Sequence, residues 1–168
     1  MKISSQEEYG LRCLLQVARD PSTTPVPISE IASREGLSVE YVGKLLMKLR
    51  KGGLVSSVRG KAGGYVLAKP PEEISLRLVL EVLSDPIFDT RYCARFSGTE
   101  ETCVHADNCG IRPIWSVVNR FLAKTLSSLS IADVLESEQV AIVRLKRVMV
   151  EQAEAIAAGD LLAARRDD

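Results

Sequence analysis

The sequence lacks several features that mark other classes of protein. No apolar run approaches the ~18 residues of a membrane span, and the first residues, MKISSQEEYG, do not have the character of a signal peptide. A cytoplasmic location without a membrane partner is therefore expected, in a compartment where thiols stay reduced. There is no C-x-x-C motif, no glycine-rich cofactor loop and only one histidine. An enzyme with a small-molecule substrate is therefore not expected.

Acidic residues are missing from one long stretch of the chain. The net charge is zero, yet no acidic residue occurs between Glu40 and Glu72. The seven cations of this stretch are Lys44, Lys48, Arg50, Lys51, Arg59, Lys61 and Lys69. They give it a charge of +7, so the rest of the chain carries −7. This bipolar distribution is typical of a protein with one phosphate-facing surface, and the alternative is a solvated face without a partner.

The N-terminal part of the sequence shows the pattern of a winged helix-turn-helix domain. A first helix is predicted over about residues 4–19, because serines and glutamates with capping-box spacing precede an apolar stripe. Two further helices are predicted, over 29–35 and from about 38 to 51, with the glycine of Gly36-Leu37-Ser38 at the turn between them. The stretch LVSSVRGKAGGYVLAK then predicts a β-hairpin with a glycine-rich, cationic tip, which is the wing.

The third helix and the wing are the predicted DNA-binding elements. A recognition helix places its N-terminal residues against base edges in the major groove, and a wing can approach the minor groove or the backbone. Hydroxyls and carboxylates can read bases, whereas lysines further along suit phosphates. The residues expected to bind double-stranded DNA are Ser38, Val39, Glu40, Tyr41, Lys44 and Lys48 on the helix, with Arg59 and Lys61 on the wing.

A long apolar helix in the second half of the chain is the predicted dimerisation element. Its stripe runs from Ile114 to Leu129 and is too long for a surface helix of a small domain, although packing on its own domain is an alternative. A two-fold dimer predicts a near-palindromic operator with half-sites about one or two helical turns apart. The predicted fold class is mainly α with a small β-hairpin. The predicted domains are 1–70, winged helix-turn-helix; 71–110, connecting helix and cysteine loop; 111–135, dimerisation helix; and 136–168, C-terminal helical extension.

Three of the four cysteines lie close together in a polar segment with little periodicity. Cys93, Cys103 and Cys109 have the spacing C-x9-C-x5-C, which favours a soft metal site in a reducing compartment. Cys109 directly precedes a predicted helix, whose N-terminus favours a thiolate. Zinc binding and an incidental grouping of the three thiols are the alternatives. Cys13 lies beside the apolar face of the first helix and is expected to be a buried free cysteine.

Three motifs resemble the IscR/NsrR family of bacterial winged-helix regulators. They are MKISSQEEYGLRCLL, the wing LVSSVRGKAGGYVL, and the cysteine trio ahead of CGIRPIW, and the resemblance covers about residues 1–135. It implies a homodimer that binds DNA and an iron–sulfur cluster, 2Fe-2S or 4Fe-4S, ligated by Cys93, Cys103 and Cys109. It also implies that the presence or state of the cluster, through redox conditions, nitric oxide or iron supply, alters which operators are bound.

The fourth ligand implied by this resemblance differs from that of either branch. One branch uses a histidine three residues after the last cysteine, where this chain has Arg112, which cannot ligate iron. The nitric-oxide-sensing branch uses an aspartate on the first helix of the partner subunit, where this chain has Glu8. Glu8 is therefore the expected ligand, although it can equally be a charge that favours a helix N-terminus. His105 is the competing ligand. A carboxylate ligand predicts a labile cluster.

A second function keeps the DNA binding and omits the cluster. The chain would then be a winged-helix repressor of the same fold, controlled by thiol oxidation, zinc or a partner protein. The visible absorption of anaerobically purified protein separates the two functions, because thiolate-ligated iron is coloured.

Overall fold

The computed structural model describes residues 3–19, 24–60, 62–84 and 96–157. This part of the chain is mainly α-helical with one antiparallel two-stranded hairpin, which confirms the predicted fold class. None of its helices is long and apolar enough to cross a membrane. The elements are α1 Ser5–Arg19, α2 Ile28–Glu35, α3 Val39–Lys51, β1 Val55–Val58, β2 Gly64–Leu67, a 3-10 turn Pro71–Glu73, α4 Leu76–Leu83, α5 Ile111–Ser127, α6 Ile131–Leu135 and α7 Glu138–Ala157.

Local side chains set the ends of the first three helices. Ser4 Oγ accepts a hydrogen bond from the Glu7 N–H at 3.3 Å, and the Glu7 carboxylate accepts one from the Ser4 N–H at 2.7 Å. This reciprocal pair caps α1. Gly36 ends α2 in the left-handed conformation, with φ 66°. The Ser38 hydroxyl then accepts from the Tyr41 N–H and starts α3. The turn predicted from the sequence is therefore confirmed.

The three N-terminal helices share one apolar core. The 3.6-residue period of the α3 sequence predicts that Val42, Leu45, Leu46 and Leu49 are buried, and all four lie in this core. The sequence periodicity predicts a buried face of Leu11, Leu14, Leu15 and Ala18 for α1. The helix is rotated from that orientation: Cys13, Leu14 and Val17 are buried, whereas Leu11 and Leu15 are only half-buried. The rotation follows from the packing of α1 against α2, α3 and α4 at the same time. Cys13 is a buried free cysteine, as expected.

The hairpin is joined by a third segment that the sequence does not mark as a strand. β1 and β2 pair with Val55 opposite Leu67. Val26, just before α2, forms a bridge with Tyr65, in which each N–H donates to the other's carbonyl at 2.9 Å. A side chain at Gly64 would place its Cβ 2.4 Å from the Val26 carbonyl oxygen, so only glycine allows this close approach.

A later part of the chain returns to the winged helix. The Leu76 N–H donates to the Leu129 carbonyl, and the Ile131 N–H donates to the Ile74 carbonyl, both at 2.9 Å. Ile74 and Ile131 are fully buried in the core. The segment that precedes α6 therefore completes the same core as α1 and α3.

The chain divides into two compact units. The first comprises Met1–Asp85 and Leu126–Leu145, and the second comprises Pro86–Thr125 and Lys146–Asp168. In the second unit, the Thr125 hydroxyl bonds the Phe121 carbonyl at 2.8 Å and the side chain of Gln152 at 3.0 Å, which connects α5 to α7.

Candidate DNA-binding surface and cysteine site

The outer face of α3 is exposed to solvent. Glu40, Lys44, Met47 and Lys51 recur every three or four residues and are all exposed, so they lie in one row along the helix. We call these four residues the α3 outer row. The helix is held from behind by its buried apolar residues. The row is thus presented on a rigid support.

The other predicted residues of α3 differ in exposure. Val39 is exposed, and so is Lys48. Tyr41 is half-buried, because its ring meets the ring of Tyr9 edge-on, with centroids 6.1 Å apart and planes at 82°. The Ser38 hydroxyl accepts the helix-capping hydrogen bond and retains its own proton for a partner. Tyr41 is therefore anchored to α1, while the other predicted side chains of this helix are accessible.

The wing presents one described cation at its tip. Arg59 is exposed and precedes a tight turn, in which the Gly63 N–H donates to the Gly60 carbonyl at 2.9 Å and Gly60 has φ 117°. Arg50, near the end of α3, donates to the Ser57 hydroxyl of β1 at 3.3 Å. In the sequence, Arg50 is identifiable only as one of the seven cations. No local sequence pattern predicts that it links α3 to the wing. Lys61 lies outside the described residues.

A polar network fixes α1 to α2. Arg12 Nε donates to the Glu35 carboxylate at 2.6 Å, and Gln16 donates to the same carboxylate. The Arg12 guanidinium also lies 5.4 Å from the centre of the Tyr9 ring. The Glu35 side chain is almost completely buried, so these two donors replace the water that it loses.

Cys103 and Cys109 are the two loop cysteines in the part of the chain that the structure describes. Both are half-exposed, and residues 96–110 around them form no helix or strand. The Arg112 N–H, in the first turn of α5, donates to Cys109 Sγ at 3.4 Å. That bond, a second one from the Ile111 N–H, and the nearby Arg112 charge lower the pKa of the Cys109 thiol. Cys109 is therefore biased towards the thiolate, the form that binds metals. Cys93 lies outside the described residues.

The predicted fourth ligands are both exposed. Glu8 lines a shallow hollow with Ile3 and Tyr9 in the first compact unit, and His105 lies in the cysteine loop of the second. Among the residues that the structure describes, no three His, Cys, Asp or Glu side chains are grouped closely enough to hold a metal ion. The two described thiols nevertheless fit an iron–sulfur cluster in donor chemistry, because both are soft and accessible.

Arg112 has a structural role of its own. Its guanidinium donates to the Ala106 carbonyl at 2.6 Å, so it spans the loop that carries Cys103 and Cys109. Its backbone N–H bonds the Cys109 sulfur from the other side. The residue at the position of one branch's histidine ligand thus braces the loop between the two cysteines.

Comparison with known proteins decides the family. Residues 3–137, most of the chain, match the Rrf2 family, described as an iron-dependent transcriptional regulator. The chain belongs to the Rrf2 family. It is 31% identical over 143 residues to the HTH-type transcriptional regulator IscR of Serratia proteamaculans, covering 85% of this chain and 84% of that protein. It is 34% identical over 140 residues to IscR of Photorhabdus laumondii, with coverages of 83% and 82%.

Solved structures agree with this membership. IscR of T. potens is 31% identical, with a TM-score of 0.63 and coverage of 80% of this chain and 86% of that chain. CymR of B. subtilis, described as the global cysteine regulator, is 31% identical, with a TM-score of 0.64 and coverages of 80% and 96%. An oxidised form of Staphylococcus aureus CymR is 26% identical, with a TM-score of 0.62 and coverages of 82% and 98%.

These relatives fix the general function of the Rrf2-family chain. They are named as transcriptional regulators, so the chain is a DNA-binding transcriptional regulator rather than an enzyme, as the sequence predicted. The resemblance to IscR inferred from its motifs is confirmed.

Proposed function

We propose that this chain is a homodimeric regulator that binds a near-palindromic operator and whose affinity for it is modulated by an iron–sulfur cluster on the cysteine loop. The observation that carries the proposal is the position of Cys109. Its sulfur accepts backbone N–H groups at the start of α5, in a family described as iron-dependent. Such a site stabilises a thiolate and the negative charge of a thiolate-ligated cluster.

The proposed DNA surface combines α3 with the wing. The proposed contacts are Ser38, Val39, Glu40, Tyr41, Lys44, Lys48, Arg59 and Lys61. The described residues among them, apart from the half-buried Tyr41, are exposed on α3 or at the wing. The cations lie in the stretch of +7 charge, which favours binding to phosphates in a way that weakens as salt rises.

The proposed homodimer rests on the exposure of α5. No residue of this helix, all of which is described, is buried within one chain. Ile111, Ile114 and Val118 recur at i, i+3 and i+7 and are 59%, 58% and 38% exposed. An apolar row of this length on a soluble regulator is expected to be covered by a second copy, which would also bring two recognition helices to one operator.

The proposed ligands are Cys93, Cys103 and Cys109 of one subunit and Glu8 of the partner subunit. The exposure of Glu8 supports its availability to a second chain, and His105 is the competing ligand. A bound cluster would supply an iron centre that responds to redox state, nitric oxide or iron supply. The positive Arg112 side chain, close to Cys109, would offset negative charge at the site.

Anaerobic purification with iron and sulfide analysis tests the cluster. The wild-type protein should absorb in the visible range after reconstitution, and Cys109→Ser should not. Glu8→Ala should shorten the lifetime of the colour while leaving DNA binding of the apo-protein intact, with His105→Ala as the matched control. If His105→Ala has this effect instead, the ligand assignment is wrong. A colourless, iron-free wild-type preparation would remove the cluster from the proposal.

A cluster-free repressor is the second candidate, and the similarity to CymR favours it. One CymR structure is of an oxidised form, and the Cys109 thiol here has a lowered pKa, as oxidisable thiols do. In this case, peroxide should change the operator affinity of iron-free protein, and dithiothreitol should reverse the change. An affinity that peroxide leaves unaltered would exclude thiol oxidation as the control.

A further inference from the structure

Met47 is a large apolar side chain in the middle of the α3 outer row. It is 44% exposed, whereas Val42, Leu45, Leu46 and Leu49 of the same helix are all buried. Single exposed apolar residues are common on protein surfaces, so exposure alone assigns no role. The position is informative, because Met47 lies between Lys44 and Lys51 on the face that the proposed function directs into the major groove.

Met47 lies on the same exposed face of α3 as Glu40, two turns further along the helix. Met47 is seven residues after Glu40, and a helix rises 1.5 Å per residue, so the two side chains are separated by about 10 Å along the axis. That spacing corresponds to roughly three base-pair steps of the DNA. With α3 lying along the groove, as the proposed function requires, Met47 would therefore face a different base pair from the one that Glu40 faces.

The chemistry of the Met47 side chain limits which group of the DNA it can contact. A thioether carries no charge for a phosphate and is only a weak hydrogen-bond acceptor. In the major groove, the C5-methyl group of thymine is the one apolar feature that base edges present. Methionine is unbranched and polarizable, so its side chain adapts to such a surface. We propose that Met47 is a specificity-determining residue that packs on the C5-methyl of a thymine in each operator half-site. This inference rests on the proposed DNA-binding surface.

Replacement of thymine by deoxyuridine tests the contact, because it removes only the methyl group. The probe is the duplex that the full-length protein selects from a random-sequence pool. With wild-type protein, deoxyuridine at the equivalent position of both half-sites should weaken binding about sixteenfold, which is about fourfold for each buried methyl-sized group. Met47→Ala should weaken binding to the thymine duplex to a similar extent and should lose no further affinity when deoxyuridine is introduced.

Three control variants separate this contact from general effects. Lys44→Ala should bind more weakly and still respond to the deoxyuridine position. Met47→Leu should keep much of the response, because it retains an apolar side chain of similar size. Met47→Ala should leave the slope of affinity against salt unchanged, because a thioether neutralises no phosphate, whereas Lys48→Ala should reduce it.

The outcomes distinguish this inference from the function on which it rests. If the protein selects a duplex but no thymine methyl affects its binding, the role of Met47 is overturned and the DNA surface is not. The role of Met47 is also overturned, and the DNA surface again is not, if Met47→Ala responds to deoxyuridine as the wild type does. If charge changes at Lys44, Lys48 and Arg59 have no effect on binding to the selected duplex, both are overturned.

Discussion

Two helical glycines should respond in opposite directions to the same substitution. Gly10 lies in α1 and Gly43 in α3, and alanine in a helix is favoured over glycine by about 0.5–1 kcal/mol. At Gly10, an added Cβ would lie 2.4 Å from Leu83 Cδ2 and 2.7 Å from Cδ1. Leu83 is fully buried, so its side chain cannot move into solvent.

The sizes of the packing cost and of the gain in helix propensity determine whether each substitution destabilises or stabilises the protein. Overpacking a core costs about 1–3 kcal/mol, more than the gain in helix propensity, so Gly10→Ala should lower the free energy of unfolding by about 0.5–2 kcal/mol. At Gly43, the nearest atom to the new Cβ is Ile28 Cδ1, in ordinary contact at 3.4 Å. Gly43→Ala should therefore retain the gain in helix propensity and raise the free energy of unfolding by about 0.5–1 kcal/mol.

Urea denaturation followed by circular dichroism measures both changes. α1 cannot easily slide to relieve the contact, because the Gln6 side chain donates to the Leu83 carbonyl and the Ser84 hydroxyl donates to Glu7. The double variant Gly10→Ala/Leu83→Ala should lose less free energy of unfolding than the sum of the two single losses, since the new methyl group partly fills the space that Leu83 vacates. A Gly10→Ala protein as stable as the wild type would refute the tight packing of α1 on α4.

Three other predictions test separate parts of the chain. Iodoacetamide near pH 8 should label Cys109 well before Cys13, because burial raises the pKa of the Cys13 thiol to about 11. Only about one Cys13 in a thousand would then be a thiolate, and early labelling of Cys13 in native-protein mass spectrometry would contradict this. Replacing Arg59 and Lys61 by alanine should flatten the slope of log affinity against log salt by roughly one to two; an unchanged slope would mean that the wing does not contact DNA. Ser130→Ala removes the capping box of α6 and should lower the free energy of unfolding by about 1 kcal/mol, measured by thermal denaturation. An unaltered melting temperature would mean that this cap does not contribute to stability.

Features that depend on neighbouring residues were predictable from the sequence. The buried face of α3 follows from a 3.6-residue period, and its start follows from the Ser38 hydroxyl. The glycines of the wing mark a turn because they alone tolerate its backbone, as Gly60 does at φ 117°. The cysteine loop is recognisable because three thiols interrupt a segment without periodicity, although the sequence gives no distance between their sulfurs.

Features that depend on contacts between distant residues were not predictable in the same way. The rotation of α1 arises because four helices (α2, α3, α4 and α6) pack against it, and the local sequence of α1 does not reveal these contacts. The bridge from Val26 to Tyr65 involves a single residue on one side, which is too short to show an alternating pattern. The exposure of Met47 was not predictable either, because in the sequence an apolar residue next to a buried stripe looks like part of the core.

The return of the chain at Ile131 is the clearest case, and it affects how the core beneath α3 is held together. Ile74 and Ile131 are far apart in sequence, yet the Ile131 N–H donates to the Ile74 carbonyl, and both residues are buried in the same core as Leu14 and Leu45. Residues Leu126–Leu145 accordingly belong to the compact unit that contains α3. Burying a branched aliphatic side chain such as that of Ile131 contributes about 1.5–3 kcal/mol. α3 therefore packs on a core that residues after α5 help to stabilise. The stability of the proposed DNA-binding surface therefore depends on residues that its own local sequence pattern does not include.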